Sequence, residues 1–176
     1  MNLNINLEHL IELNKDLGIN IQSQLNRGLK IYPEAQDCVS VGTDFYKRES
    51  RLNPQALAAW ELMVKAALAD KIELFICSAF RDYQYQANLL RKKLAGGIDI
   101  DTIIKTLAPP GFSEHHTGCA IDIISSEIPV LDQSFENTQA FGWLQNYAQD
   151  FNFSMTYPRN NIYGMIYEPW HWCFRV

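Results

Sequence analysis

The sequence has no excess of positive charge, no membrane-length apolar run and no paired-cysteine motif, and each absence closes off a class of function. Lys and Arg number 15 against 20 Asp and Glu, a formal net charge of -5. That balance argues against nucleic acid as a partner, since non-specific binding needs clustered cations. No apolar stretch approaches the roughly 20 residues that cross a bilayer as a helix, so no integral membrane segment is expected. The four cysteines, Cys38, Cys77, Cys119 and Cys173, show no C-x-x-C spacing, which argues against a thiolate zinc knuckle. Three of them sit in apolar, strand-like runs, where free Cys behaves as a small buried hydrophobe. A disulfide is conceivable only in an exported form. Repeats and low-complexity tracts are also missing. The N-terminal stretch "MNLNINLEHLIELNKDLGIN" lacks a basic start followed by an unbroken apolar region, so it does not read as a secretory signal peptide. Either the protein works in the cytoplasm as written, or it is trimmed from a longer chain and works in the periplasm or outside the cell.

What is present is an ordinary globular composition: 176 residues, 47% hydrophobic and 20% charged, enough to bury a real core. Apolar positions at helical spacing over residues 7–30, interrupted at Gly18, predict one or two helices packed on the main body. Residues 31–52 read as loop. "NPQALAAWELMVKAALAD" gives a clean helix, with Asn53 as N-cap and Pro54 at the first helical position. "KIELFICSAF" is strand-like, "RDYQYQANLLRKKLAGG" a helix stopped by its glycines, and 99–106 a short helix. "CAIDII" reads as a buried strand and "NTQAFGWLQNYAQD" as an amphipathic helix. "FNFSMTYP" and "GMIYEPWHWCFRV" read as two strands joined by a turn at "RNN". The expected fold is α+β: a small antiparallel sheet packed with several helices. Residues 1–45 would form an N-terminal helical extension packed on a main domain of 46–176, the two making one structural unit. Nothing in the sequence fixes an oligomeric state.

The chemistry concentrates in "SEHHTGCAID", residues 113–122. His115 precedes a glycine turn and Asp122 lies inside an apolar strand. On a regular strand, side chains seven residues apart face opposite sides, so the chain must be redirected at Thr117–Gly118 if the two are to meet. Gly118 permits this because it tolerates positive φ. Asp122 is flanked by Ala120, Ile121, Ile123 and Ile124, and a buried lone carboxylate calls for a cation. The segment alone also fits a surface histidine beside an aspartate bonded to backbone amides. "YEPWHW" adds Glu168 and His171, completing an N/O donor set that suits Zn²⁺ with one position open. Glu168 is then a candidate base for a water beside the ion. The spacing between the histidines, 171 − 115 = 56 residues, decides nothing by itself.

"SAFRDYQYQ" (78–86), "SEHHTGCAID" (113–122) and "YEPWHW" (167–172) together resemble, in order, the three motifs of the VanY-type D-alanyl-D-alanine carboxypeptidases. These are zinc peptidases of a group that includes L,D-carboxypeptidases. The resemblance runs from about residue 46 to the end and implies that the sheet carries a zinc site. It implies zinc bound by His115, Asp122 and His171, Glu168 as the base, and Arg81 holding the scissile carbonyl or the terminal carboxylate. Gln86 and Ser113 match positions that hold the substrate's C-terminal residue. Tyr157, a further candidate substrate contact, lies in "TYP", where the family segment usually reads Arg-Tyr-Pro. Thr156 stands in place of that arginine, which puts the local hairpin in question. His116 reads as a decoy beside the ligand, Glu114 as solvent-facing or capping, and Tyr83 and Trp170 as packing residues. The implied activity is removal of a terminal D-amino acid, D-Ala above all, from peptidoglycan stem peptides or muropeptides. Alternatives are a dipeptidase or endopeptidase of the same group, or a zinc-stabilised domain that binds peptidoglycan without cutting it. Zn²⁺ is the only cofactor expected.

Overall fold

A computed structural model describes residues 7–175. Gly18, at φ +73°, breaks the first apolar stretch into α1 (Leu7–Asp16) and α2 (Ile21–Asn26). β1 (Val39–Thr43) and β2 (Glu49–Leu52) form an antiparallel hairpin. This corrects the reading of 31–52 as loop. The strands VSVGT and ESRL are short and largely solvent-facing, so they lack the apolar signal that marks a strand. Their turn is held by side-chain chemistry instead: Asp44 accepts from the Tyr46 and Arg48 amides at 2.9 Å each.

α3 (Pro54–Ala69) begins where its cap predicts, with Asn53 Oδ1 accepting from the Gln55 amide at 2.9 Å. β3 (Phe75–Ser78) leads into α4 (Tyr83–Ala95), capped by Asp82, and α5 (Ile100–Thr106) is capped by Asp99. After β4 (Ala120–Ile124) come α6 (Gln139–Tyr147), β5 (Phe153–Met155) and β6 (His171–Phe174). The last two are antiparallel neighbours, but residues 156–170 between them are loop and turn. The expected second strand over 164–176 is therefore shorter than its apolar run suggested. Glu168 and Tyr157 belong to this connection, pinned where the Glu168 amide donates to Tyr157 O at 3.0 Å.

The four-stranded sheet runs β3-β4-β6-β5, every neighbouring pair antiparallel. Its alternation sorts the side chains. Ile121 and Ile123 of β4, with Trp172 of β6, enter the main core with Phe141 and Trp143 of α6 and Met63 of α3. Asp122 and His171 therefore point to the other face. They are directly paired in the β4–β6 register, and all five β4 residues are buried. Burying large apolar side chains contributes about 1.5–3 kcal/mol each, so the main core makes this register costly to slip, and a one-residue slip would turn both polar side chains into it.

A second apolar cluster joins Leu10, Leu13 and Leu17 to Tyr83, Leu90 and Ile103, which seats α1 on α4 and α5. The same N-terminal segment clamps the loop before β4. Tyr32 N donates to Gly111 O and Ala35 N to His116 O, each at 2.8 Å, and Asn14 Nδ2 to Pro110 O at 3.0 Å. Among the described residues, all four cysteines are free, and no helix is long and apolar enough to cross a membrane.

Candidate active site

Residues 114–117 form a single 3-10 turn that ends at Gly118, φ +68°. This is the redirection the sequence calls for. A Cβ on Gly118 would lie 2.4 Å from Cys38 Sγ and 2.9 Å from Asn53 N, so both the backbone angle and the space demand glycine. The turn delivers His115 to the sheet face that carries Asp122 and His171. One ligand atom from each of the three, all buried, lies within 4.8 Å of the other two. The sheet register supplies two of these groups and the glycine turn the third.

The hydrogen bonds of the two imidazoles turn one ring nitrogen of each toward the Asp122 carboxylate. His115 Nδ1 lies 2.6 Å from Ala79 O. A carbonyl only accepts, so Nδ1 carries the proton and Nε2 is the free donor atom. Nε2 is buried without a hydrogen-bond partner, 3.3 Å from Asp122 Oδ1. Burial, aided by the Arg81 charge, lowers the His115 pKa to about 4, so the ring is neutral at pH 7. His171 Nε2 donates to Glu114 Oε2 at 3.1 Å, while Nδ1 lies 3.1 Å from Asp122 Oδ1. Burial alone would lower the His171 pKa. Its hydrogen bonds to Asp122 and Glu114 outweigh that and raise it to about 10. Burial likewise opposes ionisation of Asp122, but His115 and His171 hold its carboxyl well below the usual range. Two imidazoles and a carboxylate so arranged fit a divalent ion in place of the proton on His171 Nδ1.

Glu114 corrects the expectation of a solvent-facing residue: it is 2% exposed. It accepts from His171, from Thr156 Oγ1 at 2.6 Å, from Arg175 Nη1 at 2.8 Å and from Tyr32 OH at 3.4 Å. Burial pushes its pKa up, but the His171 hydrogen bond and charge, together with Arg175, win and hold it near 2. A carboxylate behind a ligand histidine is a recurrent device for fixing ring orientation. Its position inside the quoted motif, next to His115, was the available signal. Arg175 and Thr156 gave none, because their link to Glu114 exists only in three dimensions.

His116 faces away from the cluster, as its decoy reading requires. Its Nδ1 donates to Arg81 O at 2.6 Å, its Nε2 accepts from Gly111 N at 3.0 Å, and Tyr83 packs edge-on at 4.7 Å. Burial lowers its pKa to about 3, consistent with a neutral strut. That strut, with Arg81 N donating to His115 O at 3.2 Å, fixes Arg81 beside the cluster.

Arg81, Ser113, His115, Tyr157, Glu168 and His171 line one cavity of about 20 Å³, room for about one water. Arg81 Nε is buried there without a protein partner, an arrangement that favours an incoming oxygen. Glu168 is 6% exposed. Burial is the largest influence on its carboxyl and raises its pKa to about 8, against the opposing His171 and Arg81 charges. Tyr157 lies with its ring 4.9 Å from that of His171. Gln86 is not among the lining residues. It is fully buried in α4 and its Nε2 donates to Ala108 O at 2.6 Å, holding the cavity wall. A wider cleft of about 580 Å³ shares Arg81 and Leu107 with this cavity.

The chain is similar to known proteins over most of its length. The model of the family described as VanY, D-alanyl-D-alanine carboxypeptidase, matches residues 49–176. YodJ of Bacillus subtilis is 33% identical over 124 residues, which cover 68% of this chain but 45% of YodJ. The chain thus spans about half the length of that relative. The LdcB LD-carboxypeptidase, solved to explain peptidoglycan recognition, superposes with a TM-score of 0.70 at 30% identity, covering 80% of this chain and 69% of LdcB. A mutant of the vancomycin-resistance D,D-pentapeptidase VanY, solved in complex with Zn(II), superposes at 0.64 with 23% identity, covering 83% and 85%. The latter likeness concerns the fold.

Proposed function

The chain belongs to the VanY family of D-alanyl-D-alanine carboxypeptidases, and on that premise we propose that it is a zinc carboxypeptidase acting on peptidoglycan stem peptides. The bond cut is the one before a terminal D-amino acid, with D-Ala the leading candidate. The observation that carries this reading is the convergence of His115, Asp122 and His171 within 4.8 Å, beside a cavity that His115 and His171 line together with Glu168 and Arg81.

His115 Nε2, an Asp122 oxygen and His171 Nδ1 would hold the ion. Bound Zn²⁺ supplies a Lewis acid and brings the pKa of water toward 7. The remaining work belongs to the side chains. Glu168 removes a proton from the attacking water and returns it to the leaving amine, as a buried carboxyl with a raised pKa is suited to do. The Arg81 guanidinium offers its unsatisfied Nε–H to the oxygen on which charge builds, or to the terminal carboxylate. Ser113 and Tyr157 line this one-water cavity and would face the departing residue, and Gln86 supports its wall through Ala108. The rest of the stem peptide extends into the wider cleft beyond Arg81 and Leu107. A domain that only held peptidoglycan would need no base at position 168.

The test is incubation with muropeptides ending in D-Ala-D-Ala or in an L,D-linked D-Ala, read by mass. Wild type is expected to release alanine, while Glu168→Ala binds the same peptides and turns over at least about a hundredfold more slowly. Undiminished turnover in Glu168→Ala, or no release from either peptide by zinc-loaded wild type, refutes the assignment.

A further inference from the structure

We propose that Arg175 and Thr156 are positioning residues for His171, acting through Glu114. The proposal rests on the reading of His171 as a metal ligand given above and extends it to the protein surface.

Glu114 is buried against the ligand histidine, yet the guanidinium paired with it comes from outside the cavity. Arg175 follows β6 directly, and its side chain is 47% exposed against 3% for that of Glu114. Its two terminal nitrogens divide their work: Nη1 donates to Glu114 Oε1 and Nη2 to Thr156 Oγ1, both at 2.8 Å. Thr156 Oγ1 lies 2.6 Å from Glu114 Oε2, the same oxygen that His171 Nε2 approaches to 3.1 Å. A guanidinium has only protons to give, so Thr156 must accept from Arg175 and spend its single proton on Glu114. The carboxylate is thus anchored on both oxygens, and Oε2 faces His171 as an acceptor. His171 must then present Nε2–H to Glu114 and turn Nδ1 toward Asp122. One proton arrangement satisfies every member.

The local sequence fits this role. Thr156 carries no charge, and the guanidinium beside Glu114 comes from Arg175. A merely structural ion pair would show its loss in folding stability alone. A positioning role instead predicts an effect on metal affinity, because carboxylates behind ligand histidines typically change it ten- to a hundredfold.

Two measurements on the full 176-residue chain test this. The first is the zinc dissociation constant, by competition with a chromogenic chelator. Arg175→Ala and Thr156→Ala should each weaken zinc about ten- to a hundredfold. The double variant should be little worse than the poorer single one, because both act through Glu114. Arg175→Lys should recover most of the loss. The second is the His171 Nε2–H proton resonance in metal-free protein. It should be a slowly exchanging downfield signal in wild type and Arg175→Lys, and lost to solvent exchange in Arg175→Ala. A folded Arg175→Ala protein that binds zinc within twofold of wild type overturns the proposal. So does an Nε2–H signal that exchanges freely in wild type. Peptide cleavage enters neither readout: zinc binding without cleavage would sink the proposed activity and leave this relay standing, and loss of Nε2–H protection would do the reverse.

Discussion

Gly118→Ala tests the turn that brings His115 to its partners. Alanine at φ +68° meets the left-handed penalty of about 1–2 kcal/mol. Its Cβ also meets Cys38 Sγ at 2.4 Å and Asn53 N at 2.9 Å. The Asn53 amide is fixed, since it donates to Gly118 O at 2.9 Å at the start of α3. Relief must therefore come from the Cys38 side chain or from movement of the turn itself. Overpacking of this kind costs about 1–3 kcal/mol, for a total of about 2–5 kcal/mol. The assay is urea unfolding of metal-free protein in excess chelator, with the midpoint compared at constant slope. Chelation matters because bound metal adds its own stabilisation. Cys38→Ala in the same background separates the two terms. It removes the sulfur overlap and leaves the φ penalty and the Asn53 contact, so Gly118→Ala should cost about 1 kcal/mol less there than in wild type. Zinc affinity should fall as well, since the turn carries a ligand. A Gly118→Ala midpoint corresponding to less than about 0.5 kcal/mol of lost stability would show that glycine is not what shapes this turn, and strict additivity with Cys38→Ala would show that the sulfur overlap adds nothing to the cost.

Metal-free protein should be most stable near pH 6.5, the unfolded histidine value, and less stable on either side. On the acid side His115 and His116, with folded values of about 4 and 3, bind fewer protons folded than unfolded and outnumber the opposing Glu168, raised to about 8. On the alkaline side Glu168 and His171, raised to about 8 and 10, lose stability as pH rises through those values; a flat urea midpoint from pH 5 to 9 would refute these assignments. Zinc should raise the melting temperature of wild type and leave His171→Ala unchanged, a difference that scanning calorimetry with and without chelator detects. Arg81→Lys should retain zinc affinity and lose about tenfold or more in kcat/KM for muropeptides, since an ammonium lacks the Nε–H that the buried site leaves open; unchanged kcat/KM would remove Arg81 from substrate binding.

The sequence made legible whatever a single segment encodes. Asn53-Pro54 marks the start of α3 and Gly96-Gly97 the end of α4, because caps and stops act through neighbouring residues. Apolar alternation around Asp122 foretold a buried strand, and Gly118 a redirected one. The hairpin of β1 and β2 was hidden for the complementary reason: its strands cover little apolar area, so they owe their order to Asp44 and to pairing with each other. The site divides along the same line. His115 and Asp122 lie seven residues apart and could be argued from local geometry. His171 joins them only through the register that sets it opposite Asp122, and without the motif resemblance its distance along the chain favoured no partner. Glu114 was misjudged because an acidic residue in a Ser-Glu-His-His turn ordinarily faces water. What reverses that preference is the set of partners waiting for it, drawn from Tyr32, Thr156, His171 and Arg175. Four donors from three separate segments compensate the desolvation of one carboxylate, and no local pattern records such a sum. Buried polar groups of this kind depend most on tertiary assembly, so those behind a ligand should be harder to read from sequence than the ligands themselves.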